Sequence, residues 1–153
     1  MNIAVDFDGT IVEHEYPKIG KPIPFAFDVL KKLQREEGHT LILWTVREGN
    51  LLQEAIDYCE QNGLTFYAAN RNHPDERRGD APRKLTADLF IDDRNIGGLI
   101  DWGIIYRIIK SGRNHLSESD MFLDEQSNRS SKKKNILIRI GEAWERAKNS
   151  YNY

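Results

Sequence analysis

The chain has few of the features that mark secreted, membrane or nucleic-acid-binding proteins. Cys59 is the single cysteine among 153 residues, so no disulfide can form within the chain and nothing ties the fold to an oxidising compartment. No apolar run approaches the ~20 residues of a membrane span, and no basic segment precedes the first apolar residues. The 22 Lys and Arg residues nearly balance the 24 Asp and Glu residues, and the net charge of −2 provides no general attraction for nucleic acid or anionic membranes. We therefore expect a cytoplasmic protein that recognises its partners locally.

Short apolar runs alternate with helical patterns along the first two thirds of the chain. Residues 3–7, 41–44, 66–69 and 89–91 are predicted to be buried strands, and residues 103–109 a further strand. Apolar residues recur at helical spacing over 26–33 and 52–59. Because a parallel crossover needs a helix to return the chain, this alternation favours a parallel sheet. We expect an α/β fold, a Rossmann-like three-layer sandwich with a central, mostly parallel sheet, formed by residues 1–112.

The last third of the sequence has a different character. Residues 113–134 are mostly polar and include three consecutive lysines at 132–134, which predicts a linker or loop. Within residues 135–153, one helical face collects Ile136, Leu137, Ile140, Ala143, Trp144 and Ala147. This pattern predicts an amphipathic C-terminal helix that packs on the core or on a second copy of the chain in a homo-oligomer.

Oxygen-bearing side chains follow three of the predicted strands. Asp6 and Asp8 end the first strand, Thr45 ends the second, and Asp92 and Asp93 end the fourth. Ligands of open α/β sheets bind outside the carboxyl ends of the strands, so these groups should converge. A pair of neighbouring acids by itself more often belongs to a solvated loop than to a functional site. Several carboxylates crowded together repel unless a cation holds them, and a hard divalent ion such as Mg²⁺ is the simplest such cation.

Four segments resemble the motifs of the haloacid dehalogenase (HAD) superfamily of phosphohydrolases, in the order in which that family has them. Residues 5–12 (VDFDGTIV) resemble the first motif and residues 43–47 (LWTVR) the second. Lys84 matches the third motif and residues 90–93 (FIDD) the fourth. The resemblance ends at Arg94, and the remaining third of the chain carries no signature of the family.

The resemblance implies an enzyme, a Mg²⁺-dependent phosphatase that hydrolyses a phosphate monoester through an aspartyl phosphate. Asp6 would be the nucleophile and Asp8 the general acid and then the base. Thr45 would hydrogen-bond the phosphoryl oxygens, and Lys84 would offset their charge. Arg83, the neighbour of Lys84, is the alternative cation.

The metal ligands implied by the resemblance come from the first and fourth motifs. Mg²⁺ would be held by the carboxylate of Asp6, the main-chain carbonyl of Asp8 and the carboxylate of Asp93. Asp92 would orient a metal-bound water or Lys84. Because this alignment can shift by one position, Asp92 remains an alternative for the direct ligand.

The gaps between the motifs bear on the substrate. Residues 9–44 have room for one helix and a short loop, and residues 46–83 for a helix, a strand and a loop. Neither gap can hold an inserted cap domain, so we expect a capless or minimally capped enzyme with an open site. Its substrate is expected to be a phosphorylated small molecule rather than a macromolecule. Arg47 is a candidate contact for a second anionic group of that substrate. The arginines at 71, 77 and 78 alternate with acids, which favours a solvated loop.

Two functions of other classes compete with the phosphatase hypothesis. A catalytically silent relative would serve as a binding or scaffold protein. A phosphorelay receiver domain also places acids, a Thr and a Lys at strand ends, but its acceptor Asp ends the third strand, where this chain has Ala68, Ala69 and Asn70. Motifs determine the reaction class. The physiological substrate depends on the loops, whose specificity cannot be inferred from the sequence.

Overall fold

The computed structural model describes residues 1–77, 79–113 and 115. Its four strands are β1 (Asn2–Val5), β2 (Thr40–Leu43), β3 (Ala68–Ala69) and β4 (Leu89–Ile91), and its three helices are α1 (Ala26–Arg35), α2 (Gly49–Gln61) and α3 (Trp102–Lys110). The strands form one sheet in the order β3-β2-β1-β4, and every pair is parallel. The prediction of an α/β fold with a parallel sheet is confirmed. The predicted linker beyond residue 115 and the predicted C-terminal helix lie outside the described residues.

The register of the central strands places their carboxyl ends level. Val5 at the end of β1 is paired with Leu43 of β2 on one side and with Ile91 of β4 on the other. β1 and β2 end in three consecutive buried residues each, as expected for strands covered on both faces. The residues that follow these three strands therefore leave the sheet side by side.

The two faces of the sheet belong to separate apolar clusters. Ile3, Val5 and Leu43 lie in the larger cluster, to which all three described helices contribute, for example through Leu30 and Ile105. The alternate residues Ala4, Ile42 and Ala68 pack in a smaller cluster with Leu85 of the β3–β4 connection. Within the described part of the chain, the helical layer thus lies on one face, and the second helical layer of the predicted sandwich is not seen.

The prediction of a strand at residues 103–109 is wrong, because these residues belong to α3. Isoleucines at 104, 105, 108 and 109 repeat with helical spacing and are all buried. Oδ1 of Asp101 caps the helix by accepting hydrogen bonds from the amides of Gly103 (2.8 Å) and Ile104 (3.3 Å). A short apolar run does not by itself distinguish strand from helix, and the cap decides here. None of the helices among the described residues is long and apolar enough to cross a membrane.

The β1–α1 connection folds back on itself before the helix begins. Val12 bridges to Pro22 in antiparallel fashion, and the amides of Glu13 and Ile23 donate to the carbonyls of Lys21 (2.8 Å) and Ile11 (2.9 Å). This hairpin-like loop places residues 16–18 beside the end of β1. The connections from β1 to β2 and from β2 to β3 each hold one helix with loops.

Candidate functional site

The candidate site lies at the carboxyl edge of the sheet. The amide of Asp6 donates to the carbonyl of Ile91 (2.9 Å), and the amide of Trp44 donates to the carbonyl of Val5 (2.8 Å), so the sheet pairing continues one residue past the strands. A cavity of about 220 Å³ opens where these segments diverge. It is lined by Asp6, Asp8, Trp44, Thr45, Val46, Asp92 and Arg94. Four of the residues predicted from the sequence therefore share one cavity.

Three carboxylates form a cluster beside this cavity. Asp6, Asp92 and Asp93 each offer an oxygen within 4.8 Å of the other two, and all three side chains are half-buried. Oδ1 of Asp93 is buried and has no hydrogen-bond partner among the described residues. Such a set of hard, negatively charged oxygens fits a divalent cation, which would relieve the mutual repulsion and supply the missing partner of Asp93. The oxygens alone do not distinguish Mg²⁺ from other hard cations.

Asp6 has the most perturbed acidity of the described carboxylates. Burial is the main cause that raises its pKa to about 7, and the negative charges of Asp92 and Asp93 raise it further. Hydrogen bonds from the backbone of Phe7 and from the hydroxyl of Thr10 act in the opposite direction. Without a cation, burial and the two neighbouring acids thus favour the protonated form of the Asp6 carboxyl.

Thr10 connects two of the acids, a role that the sequence did not predict. Its side chain is fully buried. The hydroxyl donates to Oδ2 of Asp6 (3.1 Å) and accepts from the amide of Asp93 (3.0 Å), which joins the ends of β1 and β4. Gly9 makes this approach possible, because its φ is +90° and a Cβ atom there would overlap the Asp93 carboxylate. In the sequence, the triplet Asp8-Gly9-Thr10 is the signal that indicates this arrangement.

Asp8 forms a buried, bidentate ion pair with Arg47. Nε and Nη2 of Arg47 donate to Oδ2 and Oδ1 of Asp8, each at 2.7 Å. Two further N–H groups of the guanidinium donate to the carbonyls of Pro17 (2.9 Å) and Lys18 (2.8 Å). The guanidinium also lies over the rings of Phe7 and Tyr16, at 5.1 and 5.3 Å from their centroids. Arg47 is fully buried, and it therefore fixes Asp8 to the 16–18 loop rather than lining the cavity.

Asn70 organises the segment that carries Thr45, a second role that the sequence did not predict. Its Oδ1 accepts from the amide of Thr45 (2.9 Å), and its Nδ2 donates to the carbonyl of Arg47 (3.1 Å). The amide of Arg47 in turn donates to Oγ1 of Thr45 (3.2 Å). The O–H of Thr45 has no acceptor among the described residues. It is therefore available to donate to a ligand in the cavity.

The cations of the site differ from those that the family resemblance implies. Lys84 is exposed, and its Nζ lies 5.9 Å from the ring centroid of Phe90. It lines neither this cavity nor the larger one beside it, whereas Arg83 lines the larger one. Arg94 is the cation that lines the small cavity together with Asp6 and Asp92. The structure thus brings Asp6, Asp8, Thr45, Asp92 and Asp93 together, with Arg47 attached through Asp8, but it does not bring Lys84 to them.

Comparison with known proteins identifies a relative of this chain. The chain is similar to a conserved protein coded by a locus from Bacteroides thetaiotaomicron, whose structure is solved. The two are 61% identical, the match covers 80% of this chain and 97% of the other, and the TM-score is 0.72. No family model matches the chain, and the curated proteins contain no significant match.

Proposed function

Since the chain belongs to the same family as the conserved Bacteroides thetaiotaomicron protein, we propose a function from the residues that its fold gathers: a Mg²⁺-dependent phosphatase that hydrolyses phosphate monoesters. The observation that carries the proposal is the cluster of Asp6, Asp92 and Asp93, in which a buried oxygen of Asp93 has no partner among the residues that the structure describes. It stands beside a cavity that Asp8 and Thr45 also line. The order of these residues along the chain resembles the motifs of HAD phosphohydrolases.

Asp6 is the nucleophile in the proposed reaction. A carboxylate oxygen attacks phosphorus, the bond from phosphorus to the leaving oxygen breaks, and Asp8 gives that oxygen a proton. Water then attacks the aspartyl phosphate, Asp8 takes up a proton from it, and phosphate leaves with the Asp6 carboxylate restored. The hydrogen bond from Thr10 to Oδ2 supports this role, since it fixes the orientation of the Asp6 carboxylate.

Metal binding falls to the acids of the cluster and to the backbone of the first motif. Asp6, Asp93 and the main-chain carbonyl of Asp8 would hold Mg²⁺, which when bound offsets negative charge on the phosphoryl oxygens. Asp93 is preferred to Asp92 as a direct ligand, because Oδ1 of Asp92 already accepts from the amide of Arg94 (2.8 Å), whereas Oδ1 of Asp93 has no partner within the described part of the chain.

The phosphoryl group needs donors and positive charge from the protein as well. The free O–H of Thr45 donates to a phosphoryl oxygen. Arg94 supplies the charge that the family resemblance assigns to Lys84, since it lines the cavity and Lys84 does not. Arg47 positions Asp8, a lining residue of the cavity, through two hydrogen bonds of 2.7 Å.

The test of the proposal is hydrolysis of an aryl phosphate by the purified protein. We expect turnover that EDTA abolishes and added Mg²⁺ restores. Asp6→Asn removes the attacking oxygen and should abolish turnover, whereas Asp28→Asn, a matched change of an exposed acid on α1, should leave it unchanged. Full activity in metal-free buffer, or in the Asp6→Asn variant, would contradict the proposal.

The Asp8→Asn variant separates a hydrolase from a silent binding protein. Loss of the acid/base should slow both steps by roughly 10²- to 10⁴-fold. An activated phosphate ester needs little acid help, so Asp6 should still be phosphorylated and the intermediate should accumulate. Mass spectrometry of acid-quenched protein would then find one phosphoryl group on the peptide that contains Asp6. A protein that binds phosphate esters without ever acquiring this label would instead be the silent relative.

A further inference from the structure

A second, larger cavity adjoins the candidate site. Its volume is about 830 Å³, within the range typical of small-molecule pockets. It shares Trp44 and Thr45 with the small cavity, and its other lining residues come from the start of α2 and from described residues between Ala69 and Leu85. A molecule whose phosphate ester lies at Asp6 therefore has room for the rest of its structure on the far side of Trp44 and Thr45.

Three arginines of the described residues line this larger cavity, and two of them have no partner in that part of the chain. Nη1 of Arg71 donates to the carbonyl of Pro74 (3.1 Å), so this side chain also holds its own loop. The guanidinium groups of Arg77 and Arg83 make no hydrogen bond or ion pair with another described residue, and both side chains are exposed. The sequence interpretation of this segment as a mixed, solvated loop therefore misses that its arginines share a cavity wall.

Two acids also line the cavity, but one of them is already engaged. Oε2 of Glu76 accepts from the backbone amide of Asn72 (2.9 Å) and from its Nδ2 (2.8 Å). Those two hydrogen bonds from Asn72 are the main cause that lowers the pKa of Glu76. Glu48, the other acid, is exposed just before α2. The unpaired guanidinium groups are thus the wall's strongest donors for an incoming anion, because planar guanidinium matches both carboxylate and phosphate.

We propose that this cavity is a subsite for a second anionic group of the substrate, with Arg77 and Arg83 as its ligands. The inference rests on the proposed function, since it takes the phosphate ester to lie at Asp6. It narrows the substrate class to phosphate monoesters whose leaving group carries a phosphate or a carboxylate several atoms from the ester. Trp44, which is half-buried and lines both cavities, contacts the carbon skeleton between the two anions.

The first test measures binding without turnover. The Asp6→Asn protein in Mg²⁺ buffer is titrated by calorimetry with two pairs of probes that differ in the second anion. Fructose 1,6-bisphosphate is compared with fructose 6-phosphate, and 6-phosphogluconate with glucose 6-phosphate. We expect one doubly anionic probe to bind about tenfold more tightly than its partner, as for a charge-assisted hydrogen bond. The pair with the larger ratio identifies phosphate or carboxylate as the second group.

The second part of the test removes the arginines one at a time. Arg77→Ala and Arg83→Ala should each remove most of the preference, while Arg107→Ala, a matched loss of an exposed arginine on α3, should retain it. In the wild-type background the same two variants should raise KM for the doubly anionic ester and leave KM for an aryl phosphate unchanged. Unchanged melting temperatures would exclude misfolding as the cause.

The possible outcomes distinguish failure of the proposed subsite from failure of the proposed phosphatase activity. Equal affinities within both pairs of probes, or a preference that survives both arginine substitutions, would overturn the subsite even if aryl phosphate is hydrolysed. An arginine-dependent preference in a protein that hydrolyses no phosphate ester would support the anion site and contradict the phosphatase.

Discussion

Asp6 follows a strand whose last three residues are fully apolar, and its half-buried carboxylate lies next to two more acids. The position of Asp6 in a functional site was predictable, because a carboxylate within an apolar run is unfavourable unless it has a function. Its hydrogen-bond partners were not predictable. Thr10 bonds to Asp6 and Asn70 bonds to Thr45 only because the fold brings together segments that are far apart in the chain or that turn at a glycine. No local pattern encodes the contact between Asn70 and Thr45, which lie 25 residues apart.

The raised pKa of Asp6 predicts how stability of the metal-free protein depends on pH. In the folded state burial raises the pKa of Asp6 to about 7 from its usual 3.8, so the unfolded chain binds fewer protons between these values. The free energy of unfolding should therefore fall as pH rises from about 4 to 7 and then level off. Asp6→Asn removes this loss. Its stabilising effect, measured by urea unfolding in EDTA, should be about 2 kcal/mol larger at pH 8 than at pH 5.

The wild-type protein and Asp92→Asn serve as references for this measurement. Asp92→Asn removes only a neighbouring charge and should flatten the pH dependence less, because burial is the larger cause of the shift at Asp6. An equal effect of Asp6→Asn at both pH values would assign the titration to another group.

The ion pair between Arg47 and Asp8 makes a separate prediction at the level of residues. Arg47→Gln leaves the buried Asp8 carboxylate without its cation, and breaking such a pair typically costs about 3–5 kcal/mol of unfolding free energy. Adding Asp8→Asn to Arg47→Gln removes the stranded charge and should recover part of this loss. A double-mutant cycle measured by urea unfolding gives the coupling, and strictly additive effects would contradict a buried pair.

The elements of the fold were predictable to the extent that their hydrophobic patterns were unambiguous. Short apolar runs predicted the strands β1, β2 and β4. Apolar residues that repeat along one helical face predicted α1 and α2. β3 is shorter than predicted, since only Ala68 and Ala69 pair with β2. The run from Ile104 to Ile109 is short and apolar enough to resemble a buried strand, but its isoleucines repeat at helical spacing and Asp101 stands at the N-cap position.

Helix α3 provides the prediction at the scale of elements. Asp101→Ala removes the acceptor for the amides of Gly103 and Ile104 and should lower the free energy of unfolding by about 1 kcal/mol. Asp101→Asn keeps an oxygen at the same place and should cost only a fraction of that. Chemical denaturation of the two variants measures the difference. Equal losses in both would show that the charge of Asp101, rather than the cap, is what stabilises the region.

On the scale of the whole molecule, the net charge is small, and the charged groups relevant to binding are concentrated in local clusters. Despite the net charge of −2, the described residues include a cluster of three acids at the sheet edge and three arginines around the adjoining cavity. The sequence predicted the first cluster, because its residues follow apolar strands. It did not predict the second, because the β3–β4 connection has no periodicity from which its path can be inferred.

Binding of a cation should therefore change the stability of the molecule as a whole. A ligand that binds only the folded state stabilises it by about 2.7 kcal/mol at a concentration one hundred times its dissociation constant, which raises the melting temperature by several degrees. Because protons compete with the cation for Asp6, whose pKa is raised to about 7, the shift produced by Mg²⁺ should be larger at pH 8 than at pH 5.5. Differential scanning fluorimetry with a Mg²⁺ titration at both pH values measures it. Asp93→Asn should abolish most of the shift, whereas Asp28→Asn should leave it intact, since Asp28 is an exposed acid of α1. A shift of equal size at both pH values, or one that persists in Asp93→Asn, would place the cation away from the cluster.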